Sequence, residues 1–437
     1  MTLTEASHWT KRFGVIFGVF IVLFIIATLI VVSINKAKTI DDYLKPDFAC
    51  TDTSTEFLKS RLTIPSLTLA TGSDDVFELE TETGKVDALP RVANVHKFNI
   101  PGQSLNAQGE AKIIADKLGF NPDLMQRIGS TSYVWTKTKT YQTLTVSART
   151  LNFDMKTDFT KVGSIDSSLS LPSEAEAISI ATNYLKGKGL LFEDYFKATP
   201  EAVNINITPS GTFTQAKSRS DSELIRVDFY REKPLISIRS DYTDAKKIKD
   251  TLEKKLFQST TDSIVTDSGR IDIYNFDTIV AYQNPNVPNI SVYVGPKNAK
   301  ITDTDMNKNV YGVHFIYWPV DSQPCGTYSL ISPQTAIDIV QKGEGSLAYL
   351  NEKNGDDVIA YSQRKVTKFT IFTITLGYFE SQEESSFMQP IYIISGEATL
   401  STGVVGIFHY YVPAIDYSLV KNKIVTTTPT PSSTSLF

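Results

Sequence analysis

The chain has 437 residues, of which 41% are hydrophobic and 21% charged, and its net charge is −5. This balance excludes wholesale disorder, and the acidic sign lacks the basic footprint of a nucleic-acid binder, so no nucleic acid is expected as a partner. The length beyond the N-terminal segment and tails suffices for two or three ordinary domains.

Residues 1–12 read as a short cytoplasmic tail. From Gly14 to Ser33 there is no charged residue, and Val, Ile, Leu and Phe dominate. At about 1.5 Å per residue a helix of this length reaches roughly 30 Å, the thickness of a bilayer's hydrocarbon core. The expectation is a transmembrane helix over residues 13–34. It is uncleaved because no A-x-A-like site follows, and so serves as a signal anchor. Membrane contact would then run through residues 13–34, in a single-pass protein of the cell membrane with its large C-terminal domain extracytoplasmic. Lys11 and Arg12 balance Lys36 and Lys38, so that orientation rests on the shortness of the first tail.

A polar stalk follows over residues 35–56, and then three units of helix plus strands. In the first, residues 57–165, Ala111, Ile114, Ala115 and Leu118 stand at helical spacing and Gly119 closes the helix. Leu151, Phe153 and Met155 then alternate with polar residues, as in a half-buried strand. In the second, residues 166–260, Ser173 and Glu176 form a capping box before Ala177, Ile178, Ala181 and Leu185. Val203, Ile205 and Ile207, then Ile225, Val227 and Phe229, alternate as strands, and Thr243 to Leu256 is spaced as an amphipathic helix. In the third, residues 261–420, Ser332-Pro333 opens a helix holding Ala336, Ile337 and Val340. Its strands are expected over 368–379, 389–400 and 403–412. The Thr/Pro/Ser-rich residues 421–437 read as a disordered tail. The fold class expected from this pattern is α+β, a membrane helix followed by repeated helix-plus-antiparallel-sheet modules.

Two cysteines, Cys50 and Cys325, either pair in an oxidising compartment or are unrelated thiols. Catalytic signatures fail one by one. None of His8, His96, His314 and His409 has another histidine within helical reach, and no H-e-x-x-H or Cys-x-x-Cys pattern exists, so no metal site is expected. Gly343-Glu344-Gly345 follows a helix rather than a strand and reads as a helix stop, not a dinucleotide loop. Ser362–Lys365 and Ser418–Lys421 match S-x-x-K without its companion motifs. Asp303, Asp305 and Asn307 begin like a calcium loop, but Lys308 and His314 occupy the positions that need Gly and Glu. Glu380, Glu383 and Glu384 read as a solvated acidic turn, and His314 and His409 as structural histidines in strands. The sequence therefore nominates no catalytic, cofactor-binding or metal-ligating residue and implies no cofactor.

The helix starts Glu110-Ala111-Lys112-Ile113-Ile114-Ala115, Glu176-Ala177-Ile178-Ser179-Ile180-Ala181 and Ser332-Pro333-Gln334-Thr335-Ala336-Ile337, with the strand Gln389-Pro390-Ile391-Tyr392-Ile393, resemble membrane-anchored regulators of the PepSY and YycH/YycI type. The closing Tyr410-Tyr411-Val412-Pro413 lacks the small-residue-Gly ending of that family. The resemblance implies a non-enzymatic regulator that binds a protein partner in the membrane or envelope. An envelope hydrolase would instead need His314 or His409 gathered with a serine and an acid in one cleft. A cell-wall structural or adhesion protein is the third alternative.

Overall fold

The computed structural model describes residues 48–422 except for 74–75, 82–83, 101–103, 163–164, 166–169, 256, 267–268, 298–308 and 354–360, together with positions 21, 22, 26 and 44. Twenty strands form three sheets of nine, eight and three strands among the described residues. The nine-stranded sheet is antiparallel throughout. Its order is Gln126–Ile128, Ser132–Lys137, Gln142–Ser147, Phe153–Thr157, Val310–Phe315, Ile290–Val294, Leu224–Phe229, Glu201–Ile207 and Phe213–Gln215. Two helices, Ala107–Lys117 and Glu174–Gly187, lie on one face of it. Ala111, Ala115, Ala177 and Ala181 are fully buried against strand residues such as Leu144, Val146, Val227 and Val292. Small side chains at these positions let the helix backbones approach the sheet, and each helix is too short to be stable without that packing. The capping box forms as its letters predict: Ser173 Oγ accepts from the Glu176 amide, and Glu176 reaches back to the Ser173 amide at 2.7 Å.

The eight-stranded sheet is centred on the antiparallel pair Val366–Glu380 and Phe387–Leu400. Val405–Pro413 and then Ser346–Glu352 extend it on one side. Val92–Lys97, carrying Gly326–Ser329, pairs with the first residues of Phe387–Leu400. Two short strands, Phe77–Leu79 and Ile279–Tyr282, run parallel to Val366–Glu380. One face of this sheet is covered by the helices Ala245–Lys254 and Pro333–Gln341 and by the third sheet, Leu235–Arg239, Gly269–Asp277 and Ser259–Thr266. Strict alternation sends Tyr392 and Ile394 into that core, and Ile391, Ile393 and Ser395 to the opposite face. On the opposite face an N-terminal arm lays Leu62 and Ile64 over Ala281, Phe379, Ile391 and Tyr411. Cys50 and Cys325 form a disulfide with Cα atoms 4.6 Å apart, tying the start of the arm to a residue 275 positions away. Just beyond it, Phe57 stacks on Tyr328 at 4.2 Å between ring centroids.

Two expectations are corrected here. The chain is dominated by strands, not built as repeated helix-plus-sheet modules. Segments 126–157, 201–229 and 290–315, assigned by sequence to three successive units, share the nine-stranded sheet. Periodicity within a window identifies a strand, but ladder partners are fixed by non-local burial that no window contains. The membrane helix is the second correction. Among the described residues no helix is long and apolar enough to cross a membrane. Of residues 13–34 only Ile21, Val22 and Ile26 are described, with helical backbone and exposed side chains. An apolar run satisfies the length criterion, yet a span needs a continuous helix, and among the described residues the signal-anchor reading has none to rest on; the rest of residues 13–34 lies outside the described residues. Residues 423–437 of the expected disordered tail also lie outside the described residues, as does the segment of Asp303, Asp305 and Asn307.

Candidate functional site

The uncovered part of the eight-stranded sheet floors a cleft of about 980 Å³. Thr375, Ile393, Ser395, His409 and Tyr411 form its floor, and the strand Ile279–Tyr282 forms one wall. The facing wall comes from Lys197–Thr199 and Tyr230–Lys233. Ser395 and His409 sit directly opposite each other on neighbouring strands, with Ser395 Oγ 2.6 Å from His409 Nδ1. Tyr349, the partner of His409 on its other side, places its ring 5.4 Å away. Burial lowers the His409 pKa to about 4, and no charged group opposes that shift. The imidazole is therefore neutral through the physiological range. A triad histidine needs the reverse, a carboxylate that orients it and stabilises the imidazolium. The Ser395–His409 pair is built to exchange neutral hydrogen bonds.

At the inner end of the cleft the chemistry changes sign. Arg231 grips Glu380 with two hydrogen bonds of 2.9 and 2.8 Å, and the two side chains are only 3% and 0% exposed. The same guanidinium bonds Asp194 and the Trp318 carbonyl, while the Tyr195 hydroxyl donates to Glu380 at 2.8 Å. Arg231 also lies over the Tyr195 ring at 4.9 Å. Burial works against the charge on Arg231, but Glu380, Tyr195 and Asp194 together outweigh it and hold the pKa well above the ordinary arginine value. Asp194 is pushed upward by burial, with Arg231 opposing. This junction joins the end of the strand Val366–Glu380 to the short helix Glu193–Phe196 and to the residues that follow Leu224–Phe229. The acidic-turn expectation fails for Glu380, because its partner lies 149 residues away in sequence. Glu384 behaves as expected, meeting Arg149 at the surface at 2.6 Å.

A second histidine lies in a polar row across the nine-stranded sheet, through Asp154, His314, Ser291 and Asp228. His314 Nδ1 is 2.7 Å from Asp154 Oδ1, and its buried Nε2 has no partner among the described residues. Ser291 stands opposite His314, yet its hydroxyl donates to Asp228 at 2.8 Å. Asp228 is itself held by Arg226 through contacts of 2.7 to 3.0 Å. Serine, histidine and acid are thus divided between two places: His409 has a serine without an acid, and His314 has an acid while its neighbouring serine is engaged elsewhere. No group of three or more metal-ligating residues exists among the described residues. Ser418 of one S-x-x-K match is tied to Asp416, at a surface turn. Sequence reasoning missed Ser395 and Arg231. The one available signal was a polar residue interrupting an otherwise apolar strand, as at Ser395 between Ile394 and Gly396.

No family model matches this chain, and no curated protein matches it. Among solved structures it is similar to the crystal structure of an uncharacterized protein from Eubacterium rectale, with 10% sequence identity over 77% of this chain and 88% of that one. The TM-score is 0.34. These comparisons leave the PepSY-like resemblance where the sequence put it.

Proposed function

We propose that the protein acts by binding, with the cleft over Ser395 and His409 as its ligand site, and that its role is to regulate a protein partner in an extracytoplasmic compartment. The observation that carries this reading is the cleft itself. Its volume suits a ligand, and its floor offers a few convergent neutral polar groups among apolar ones. The Cys50–Cys325 disulfide supports the compartment, since such bonds persist where the surroundings are oxidising. The neutral His409, with no acid to stabilise its protonated form, supports binding over acyl transfer.

The test is a photo-crosslinking amino acid placed at Thr375 in the full chain, in cells, with the same group at the exposed Leu124 as control. The expected result is one protein recovered from Thr375, absent from Leu124 and lost when Ser395→Arg fills the floor of a chain that melts normally. Equal recovery at both positions sinks the reading. The 2.6 Å Ser395–His409 contact gives a hydrolase reading its foothold in this cleft. Labelling of Ser395 by a fluorophosphonate, abolished in His409→Gln, would move that reading ahead.

A further inference from the structure

The cleft wall Ile279–Tyr282 is the edge of a sheet. Its ladder pairs it only with Val366–Glu380, in parallel register from Gly377 to Glu380. All four of its residues line the cleft, and Ile279 is 38% exposed there. Successive peptide groups of a strand turn to opposite sides, so half of this strand's N–H and C=O groups face away from its ladder. Among the described residues, none of the four makes a backbone hydrogen bond outside that ladder. Such backbone groups are left to the water of the cleft, and a second strand laid beside them would satisfy them. The edge is protected by its shortness, four residues, but by little within its own sequence. No bulge interrupts its register, and it carries neither proline nor lysine.

We propose that this edge receives an extended peptide of a partner protein, added as one more strand beside Ile279–Tyr282. The inference rests on the cleft being the ligand site and names what the cleft takes. Main-chain hydrogen bonds supply the shared part of the recognition, and alternate side chains of the peptide turn toward the floor. The floor residues Thr375, Ile393, Ser395 and His409 carry no charge at neutral pH. A charged side chain there has no counter-ion, so the inward positions of the peptide are small, polar and uncharged or apolar. Charged residues of the peptide are confined to the end of the bound segment near Ile279, where Lys233 and Asp277 both line the cleft.

The experiment is selection of phage-displayed random octapeptides on the full chain. The enriched peptides are then synthesised with and without N-methyl groups at alternate backbone nitrogens and titrated by fluorescence anisotropy. The expected result is binding that falls at least tenfold when one alternate set of nitrogens is methylated and hardly changes with the other. Binding also disappears in Ser395→Arg, and amide exchange at residues 280–282 slows in the complex. Enriched peptides that bind equally well in both methylated forms overturn the added strand while leaving the cleft as a ligand site. Enrichment that survives Ser395→Arg overturns both, and a failure to enrich any sequence overturns the peptide. In that last case, fragment binding that broadens the His409 ring signals still upholds the cleft.

Discussion

Glu380, Ser395 and His409 belong to the same sheet and Arg231 lines the cleft over it, yet burial has acted on the pairs Arg231–Glu380 and Ser395–His409 in opposite ways. At the junction, two charges taken out of water are retained because each satisfies the other and the remaining donors find Asp194 and the Trp318 carbonyl. On the floor no carboxylate stands beside the imidazole, and it yields its charge instead. The difference teaches that the partner decides what burial does to a titratable group. It also assigns the regions separate tasks. The charged junction fixes how the short helix Glu193–Phe196 meets the strand Val366–Glu380, and the neutral floor remains available to a ligand.

The most severe way to break this comparison is to remove one partner of the junction. Glu380→Ala leaves Arg231 buried against Tyr195 with one remaining carboxylate, and a loss of about 3–5 kcal/mol is expected in urea unfolding. The double replacement Arg231→Met with Glu380→Leu recovers part of that loss, because no isolated charge is then left inside. A double variant as damaged as the single one would show that the ion pair is not what the junction needs.

A smaller effect sharpens the neutral side of the comparison. The folded-state pKa of His409, about 4, lies below the value near 6.5 of a free histidine, so the unfolded chain takes up the proton first as pH falls. The contribution is therefore complete above about pH 6.5 and drains away toward pH 4, reaching roughly 3 kcal/mol at most. His96 is also lowered by burial and adds a loss of the same sign, so the comparison must be with His409→Gln. Chemical denaturation from pH 8 to pH 4 should give a shallower acid loss for His409→Gln than for the native chain. Parallel curves would mean that His409 is not held neutral.

The least effect is expected on the cleft rim. Lys197 and Glu232 pair at 3.2 Å with side chains 54% and 49% exposed. Lys197→Ala should cost less than about 1 kcal/mol, and that cost should vanish in high salt. A larger, salt-insensitive loss would bring the rim into the same class as the junction.

Elements whose instructions are local were legible in the chain. Ser173 and Glu176 announce a helix start, Ser332-Pro333 announces another, and the alternation of Ile225, Val227 and Phe229 marks one strand face; each appears where the letters place it. The aligned alanines Ala111, Ala177 and Ala336 were also visible, and all three are fully buried. Their reason for alignment was not visible: two of them pack on the nine-stranded sheet and the third belongs to the core of the eight-stranded one. The candidate site was illegible for the same reason. Ser395 is one polar letter in an apolar strand, and it becomes a floor residue only because a turn brings His409 into register opposite it. Glu380 looked solvated because Glu383 and Glu384 follow it within four residues in a hairpin connection. Capping, turns and alternation depend on atoms within a few residues, so the sequence by itself determined where most helices and strands lie. Strand order, the cysteine pairing, the burial of Arg231 with Glu380 and the unpaired edge at Ile279–Tyr282 depend on surfaces meeting across hundreds of residues, and only the tertiary structure decided them.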